Sequence, residues 1–220
     1  MHNSFTVGFF LAACFALSFN LAAQDKDKDK EGFTVVKKDG TITIYERWIT
    51  YPGSEPPIKA REVKGEFFFH NTIFAGLHLI QDEKKIKDWQ SHVSEFKVYP
   101  QPDTATWLEY SYHDIPWPVS DQDHFLEYKL TELIPGRKLF VTFNSKPNET
   151  LAPKRDGVTR MQLSGSWTLE QIGPNHVKVI YRILSKPIGI PKFLTDPIIR
   201  SNIMTTIEEY VALLEPQPKK

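Results

Sequence analysis

The feature that most constrains the fold of this chain is a series of short segments in which apolar and polar residues alternate. Such alternation, rich in β-branched and aromatic residues, is typical of strands with one face in a core. Turn sequences such as Pro135-Gly136 separate several of these segments, as in an antiparallel meander. The predicted strands cover residues 41–48, 58–68, 94–99, 106–113, 124–133, 138–144, 158–170 and 176–185.

A short amphipathic helix is predicted between the second and third of these strands, over residues 71–80. Asn71 is its candidate N-cap because a side-chain oxygen can accept a hydrogen bond from the first turn. The apolar face of this helix is expected to hold Ile73, Phe74, Leu77 and Ile80.

The C-terminal part of the chain has the longest helical pattern. From residue 195 to 214, apolar residues recur at spacings of three and four, which predicts a helix with one face on the protein body. Pro197 fits the first turn, with Thr195 or Asp196 as the cap. A curved antiparallel sheet with one long helix is an α+β fold that encloses space, either packed or open to a ligand. The helical stripe consists of Ile199, Ile203, Ile207, Tyr210, Val211 and Leu214.

Composition excludes several functions. The 27 Lys and Arg residues balance 27 Asp and Glu residues without a basic cluster, so nucleic-acid binding is not expected. A single cysteine, Cys14, allows no intramolecular disulfide and no cysteine-rich metal site. The sequence lacks the common motifs of nucleotide binding, metalloproteases and serine hydrolases. We therefore predict no cofactor, no metal site and no catalytic residue.

The first 23 residues have the character of a secretory signal peptide. Residues 5–23 contain no Asp, Glu, Lys or Arg, and the small residues Ala22 and Ala23 suit a cleavage site. This pattern predicts export, to the periplasm or outside the cell, with Cys14 removed from the mature chain. A membrane anchor and a lipoprotein signal with a lipidated Cys14 are the alternatives.

The remaining chain is expected to form one domain. Residues 24–32 are predicted to be a solvated linker because Asp and Lys alternate there without an apolar partner. The domain is predicted at 33–216, and residues 217–220 are a tail.

A family resemblance is carried by the residues that follow the strand at 106–113. The run Pro-Trp-Pro-Val-Ser-Asp at 116–121 resembles the signature of START domains, the lipid-transfer modules of the helix-grip superfamily. The chain departs from that family at Gln122, where the signature has Arg, and at Ser185-Lys186, where it has Asp. The resemblance covers about residues 35–214. Three further motifs match in the same order: Lys87-Asp88-Trp89, Arg160 with Ser164-Gly165-Ser166-Trp167, and Gly189-Ile190-Pro191-Lys192.

This resemblance implies a helix-grip fold, a curved antiparallel sheet wrapped around the C-terminal helix with an internal hydrophobic tunnel. It also implies a carrier of one lipid or similar hydrophobic molecule. With the predicted signal peptide, this indicates an exported, bacterial-type member of the family, expected to be a monomer. The balanced charge suits a carrier in transient contact with membranes. Such ligands need a concave apolar site with a few orienting polar groups. The alternative is a cyclase- or hydrolase-like enzyme on the same scaffold, because helix-grip relatives include enzymes.

The resemblance places ligand-binding residues on the two strands that flank the signature. In the family, a charged residue of the first strand often lies inside the tunnel, and by position this residue is Glu109. A hydrogen bond from Tyr128 would satisfy its buried carboxyl group. The opposite phase, with Tyr110 inward, is equally compatible with the pattern. Alternation adds Trp107, Ser111 and His113 on the first strand and His124 and Leu126 on the second.

Three further elements have predicted roles in the tunnel. Arg160 either points into it, towards a ligand carboxylate or Glu109, or lies on an exposed strand face. The loop at 145–157 and the hinge at 187–197 are the predicted gate. If the tunnel is open, the last helix would line it with Ile199, Ile203, Ile207 and Tyr210.

Overall fold

The computed structural model describes residues 28–117, 119–187 and 192–216. The predicted signal peptide at 1–23 and the predicted tail at 217–220 lie outside these residues. The start of the predicted linker and the motif residues 189–191 also lie outside them.

The described residues form ten strands in one sheet: β1 (Thr34–Asp39), β2 (Ile42–Thr50), β3 (Lys59–Phe69), β4 (Val93–Pro100), β5 (Thr106–His113), β6 (Gln122–Ile134), β7 (Lys138–Ser145), β8 (Thr159–Arg160), β9 (Leu163–Gly173) and β10 (His176–Ser185). Their order across the sheet is β1-β2-β3-β10-β9-β7-β6-β5-β4, with antiparallel pairing along this path. The short β8 pairs in parallel with β6. The predicted antiparallel sheet is confirmed.

Two details of the strand prediction are wrong. Strand β1 is missing from it, although Val35 to Asp39 pair with β2. The segment predicted as one strand at 158–170 is two strands, because the backbone changes partner at Met161. The Met161 amide donates to the carbonyl of Asp123 (2.7 Å), next to the β6–β8 pairing, and the ladder with β10 begins only at Leu163.

Helix α1 spans Ile73–Gln81 and begins one residue later than predicted from Asn71 as cap. The N-cap is Thr72, whose hydroxyl accepts from the Ala75 amide (3.2 Å). Asn71 instead donates to the carbonyl of Leu214 (3.0 Å) and so ties this turn to the C-terminal helix. Phe74 is exposed, contrary to the prediction, while Ile73, Leu77 and Ile80 are buried. A short 3-10 helix follows at Ile86–Asp88.

Helix α2 spans Lys192–Leu214 and packs on β2 and β3. It begins earlier than predicted, so Pro197 falls in the second turn and neither Thr195 nor Asp196 is the cap. The side chain of Asp196 pairs with Arg61 of β3 instead. Towards the other end of α2, the Tyr210 ring packs against Trp89 and Trp167, with centroids 5.1 and 5.4 Å away. The core therefore lies between the sheet and the two helices.

In the described part of the predicted linker, residues 28–32, Asp29 binds the sheet, while the other four residues are exposed as predicted. The carboxylate of Asp29 accepts from Lys64 Nζ (2.6 Å) and from the Phe33 amide (2.9 Å). These contacts outweigh the effect of burial and lower the pKa of Asp29 to about 2. The buried Phe33 ring lies beneath Lys64 and Arg47, at 4.6 and 4.5 Å.

Within the described part of the chain, no helix has the length and apolar character needed to cross a lipid bilayer.

Candidate ligand cavity

A cavity of about 580 Å³ lies between the sheet and α2. This volume is in the range of sites that hold one small molecule. Most of the lining is aliphatic or aromatic. The apolar lining includes Val63, Trp89, Leu126, Phe143, Trp167, Tyr181, Ile199 and Ile203.

Glu109 is the acidic group in the cavity lining, and it is 2% exposed. Its Oε1 accepts a hydrogen bond from the Tyr128 hydroxyl (3.2 Å), as the sequence predicts, and lies 3.2 Å from His124 Nε2. Burial raises the pKa of Glu109 to about 8, against the smaller opposing effect of the Tyr128 hydrogen bond. Both hydrogen bonds go to Oε1, so Oε2 is left for a ligand or a water molecule.

Two histidines lie beside this carboxyl group, and both are uncharged at neutral pH. Burial lowers the pKa of His124 to about 4. Burial, with a smaller effect of His124, lowers the pKa of His113 to about 3. The rings are 5.3 Å apart, and His113 Nε2 lies 3.0 Å from the Ser111 hydroxyl oxygen. Glu109 and His124 are therefore a neutral hydrogen-bonded pair and not a salt bridge.

Nδ1 of His124 is buried and has no hydrogen-bond partner among the described residues. A buried nitrogen without a partner is costly, and such groups often mark a functional site. Together with Glu109 and Tyr128, it makes this part of the cavity polar but uncharged. We call Glu109, His113, His124 and Tyr128 the neutral polar cluster.

Pairing of β5 with β6 sets the position of this cluster. Glu109 lies opposite Leu126, and Ser111 lies opposite His124, so alternate residues of both strands point to the cavity. The opposite face of β5 is also buried, because Leu108 and Tyr110 pack with Phe125 and with Ala152 of the loop at 146–158. Because both faces of β5 are buried, its residue pattern does not show which face meets the cavity.

Arg160 does not point into this cavity, so the prediction that it meets Glu109 or a ligand there is wrong. Its guanidinium binds the buried carboxylate of Asp123 through Nε (2.6 Å) and Nη2 (2.8 Å). Nη2 also donates to the carbonyl of Ala152 (3.0 Å). Arg160 therefore ties the loop to the outer face of the sheet, and the predicted gate at this loop stays a prediction.

Four more of the predicted residues lie outside the cavity lining. The Trp107 ring stacks on Tyr128 at 4.9 Å, and Ser111 contacts the cavity residue His113. Ile207 is buried against Gly65, and the Tyr210 hydroxyl donates to the carbonyl of Gly76 (2.8 Å). These four residues pack behind the residues that line the cavity. Of the ten predicted ligand-binding residues, the structure places Glu109, Leu126, Tyr128, Ile199 and Ile203 in the lining.

Sequence reasoning missed lining residues on β2, β3 and β10. Arg61 and Val63 share one phase of β3, and Trp48 lies opposite Arg61 on β2. Alternation alone could have grouped Arg61 with Val63, but nothing local separates an inward Arg from an exposed one. Tyr181 and Ile183 contribute the inward phase of β10.

We expect Glu109→Gln to change how stability depends on pH. Glu109 has a pKa of about 8 against an ordinary value of 4.5, so the folded state keeps a proton that the unfolded state loses. Its contribution to stability therefore falls as the pH rises from about 4.5 to 8. The two histidines, with lowered pKa values against an ordinary value of 6.5, contribute stability that is lost as the pH falls below 6.5.

Together these three groups predict the highest free energy of unfolding near pH 6.5, with a decline up to pH 8 that Glu109→Gln removes. Urea unfolding at about pH 5, 6.5 and 8 measures this. Glu127→Gln, on the same strand as His124, is the matched control and should keep the wild-type profile. A wild-type stability that is level between pH 6.5 and 8 would contradict the prediction.

Within the described residues, no group of three His, Cys, Asp or Glu side chains is arranged to hold a metal ion.

Comparison with known proteins places this fold. No family model matches the sequence, and no curated protein matches it. The structure is similar to a STAR-related lipid transfer protein fragment from Xanthomonas axonopodis, with 23% identity, coverage of 83% of this chain and 98% of that chain, and a TM-score of 0.69. It is also similar to human STARD10, with 12% identity, coverage of 87% and 76%, and a TM-score of 0.69.

A more distant similarity is to the Zhui aromatase/cyclase of a Streptomyces species, with 8% identity, coverage of 70% and 93%, and a TM-score of 0.51. The described residues therefore have the helix-grip fold. Among the solved structures with that fold, this one is similar to STAR-related lipid transfer domains.

Proposed function

We propose that this protein is a non-enzymatic carrier that holds one lipid or other hydrophobic molecule in the cavity between the sheet and α2. The observation that carries the proposal is a cavity of about 580 Å³ with an apolar lining and one neutral polar cluster. Apolar surface binds a hydrophobic ligand, and a few polar groups orient it. The fold shared with lipid transfer domains supports the same function.

The neutral polar cluster favours an uncharged polar group on the ligand, such as a hydroxyl or a carbonyl. Glu109 and both histidines have shifted pKa values that leave them neutral near pH 7. A ligand charge beside them would be buried without a counter-ion, which is costly. A hydroxyl can donate to Glu109 Oε2 and accept from a neighbouring donor.

Native mass spectrometry of the purified protein, followed by solvent extraction of the same sample, tests carriage. We expect one hydrophobic molecule per chain, released when the protein unfolds. Protein without a bound molecule should take one up from a lipid extract. A chain that is empty on purification and takes up no hydrophobic molecule from the extract is not a carrier.

Transient contact with a membrane is the second part of the proposal, and Trp117 supports it. Trp117 lies in the signature loop between β5 and β6 and is 92% exposed. Ile115 and Val119 of the same loop line the cavity. An exposed indole is suited to the membrane interface because it has an apolar body and a polar N–H. The loop thus joins a membrane-facing side chain to the ligand site.

Trp117→Ala should slow transfer of the extracted lipid between neutral vesicles by about tenfold without changing equilibrium affinity. Loss of the indole removes contact with the membrane and leaves the cavity intact. A fluorescence transfer assay between donor and acceptor vesicles measures the rate. Phe74→Ala, at another exposed aromatic residue, is the control and should transfer at the wild-type rate. Equal rates for both variants would show that Trp117 has no such role.

We propose that the protein is exported as a monomer, on the strength of the signal-like residues 1–23. N-terminal sequencing of the protein made in its own host should begin at Gln24. A chain that begins at a lipidated Cys14, or at Met1 in the membrane fraction, would contradict cleavage after Ala23. Light scattering should give the mass of one chain.

An enzyme is the second candidate, and one observation favours it. The neutral polar cluster combines a protonated carboxyl group, a histidine with an unpartnered Nδ1 and a tyrosine in one cavity. Such groups can donate or accept protons, and the fold also occurs in an aromatase/cyclase. The two functions differ in the fate of the ligand. A ligand returned with a changed mass by the wild type, and unchanged by Glu109→Gln, would favour the enzyme.

A further inference from the structure

A second polar region of the cavity lies at the end where its lining is exposed to solvent. Lys59 and Arg61 lie at the start of β3, and Lys186 follows the end of β10. Arg61 pairs with Ser185 in the β3–β10 ladder, which brings Lys186 beside the same edge. We call Lys59, Arg61 and Lys186 the basic mouth.

Arg61 is buried, with 6% exposure, and lies beside two carboxylates. Its Nη2 binds Asp196 of α2, and its Nη1 lies 3.7 Å from Glu46 Oε1. Nε and Nη1 make no hydrogen bond with any described residue. Glu46 already accepts two hydrogen bonds from Arg200, at 2.9 and 2.8 Å. The Glu46 carboxylate near Arg61 is therefore already hydrogen-bonded to Arg200.

The charges at the basic mouth do not balance. Arg61 and Arg200 are offset by Glu46 and Asp196, which leaves this group of four neutral. Lys59 and Lys186 are exposed, line the cavity, and form no ion pair with any described residue. Among the described residues, the mouth therefore carries two positive charges without a counter-ion. Lysines at a partly enclosed apolar site attract an anion more strongly than lysines on an open surface.

The basic mouth and the neutral polar cluster lie on different parts of the sheet. Four strands, β10, β9, β7 and β6, separate β3 from β5. This separation is about 24 Å measured along the sheet, and less across the cavity. The lining between the two regions is mostly apolar, with Val63, Ile183, Trp167 and Phe143. The cavity thus has a charged end and an uncharged end joined by an apolar surface.

We propose that the ligand is an amphipath whose anionic group is a carboxylate or a phosphate. Lys59 and Lys186, supported by Arg61, bind this group at the basic mouth, and the apolar part of the ligand lies inside the cavity. This inference rests on the proposed carrier function and names the class of ligand. Carboxylate and phosphate oxygens accept charge-assisted hydrogen bonds from ammonium groups.

Three probes with the same chain length test this proposal: dodecanoate, dodecanol and dodecyl phosphate. Titration is followed by intrinsic tryptophan fluorescence, since Trp89 and Trp167 line the cavity. At least one anionic probe should bind about tenfold or more tightly than the alcohol at low salt, and the difference should shrink as salt is added. Preference for dodecanoate or for dodecyl phosphate then identifies the anionic group.

The double variant Lys59→Gln with Lys186→Gln should bind the anionic probe about as weakly as the alcohol, while the affinity for the alcohol stays the same. Both lysines are exposed, so the variant should fold as the wild type does. Lys37→Gln with Lys38→Gln, on the exposed face and edge of β1, is the matched control and should behave as the wild type. Arg61 is left intact because it also holds Asp196 of α2.

Equal affinity of the wild type for the acid, the phosphate and the alcohol overturns the anionic ligand and leaves carriage standing. A double variant that weakens the alcohol as much as the anionic probe overturns it in the same way. If no dodecyl probe binds, the inference also fails, and the lipid-uptake experiment decides carriage separately.

Discussion

Ile203→Trp is expected to weaken binding of the native hydrophobic ligand by about a hundredfold or more. Ile203 lies on α2 and its side chain lines the cavity. An indole in its place would occupy space that the ligand needs, and a close-packed wall cannot withdraw far enough to restore it. The residue is only partly buried, so the fold should tolerate the larger side chain better than a core position would. Native mass spectrometry of the bound fraction measures the effect.

Leu213→Trp is the matched control for this experiment, because Leu213 lies on the same helix and is 37% exposed. This variant should bind as the wild type does. Both proteins should show the same thermal unfolding within a few degrees. If Ile203→Trp folds and still retains the native ligand at wild-type occupancy, the ligand does not lie in this cavity. Tyr210→Trp would not serve, because Tyr210 is a core residue that the lining does not include.

Gly165→Ala is expected to lower the free energy of unfolding by about 3 kcal/mol or more. A Cβ atom on Gly165 would lie 2.1 Å from the carbonyl oxygen of Arg182 and 2.3 Å from Cζ of Phe143. The first contact is with backbone, which cannot rotate away. Relief would require β9 and β10 to separate where they pair.

This substitution also bears on the cavity, because Phe143 lines it. Gly165 lies opposite Phe143 in the β7–β9 ladder, and the absence of a side chain allows the Phe143 ring to lie over β9. Urea unfolding measures the loss of stability. Gly173→Ala is the control, since its Cβ would meet only the His176 Cβ at 3.6 Å, and it should change stability by about 1 kcal/mol or less. Equal effects of the two substitutions would show that the close approach at Gly165 carries no special cost.

Alternation predicted the strands well where one face of the strand meets the core and turn residues mark both ends. β5 and β10 have the predicted bounds, Thr106–His113 and His176–Ser185. Strand β1 was harder to recognise because Thr34–Asp39 is mostly exposed and has three charged residues, so its pairing comes from β2 and not from burial. The same lack of a local signal hid the packing of Asp29 on Lys64, which joins residues distant in sequence.

Some contacts of the candidate site could likewise be predicted from the sequence, and others could not. Glu109 and Tyr128 could be paired in advance because they lie on adjacent strands with a shared phase, and the family resemblance selected that phase. The partner of Arg160 could not be predicted, because two acidic residues, Asp123 and Glu109, lie on neighbouring strands and the sequence pattern does not select between them. Asp123 binds it because β8 pairs with β6 directly at Asp123, on the face of the sheet that is opposite to Glu109.

By itself the sequence determined the antiparallel sheet, the C-terminal helix and the resemblance to the helix-grip fold, because periodicity, turn residues and the signature motif are local properties. Only the tertiary structure decided that both faces of β5 are buried, and that Arg160 binds the loop over the face opposite to the cavity. It also decided that Arg61, Lys59 and Lys186 meet at the mouth. These outcomes depend on contacts between strands far apart in the chain, and one strand's residue pattern is the same whichever partner it meets.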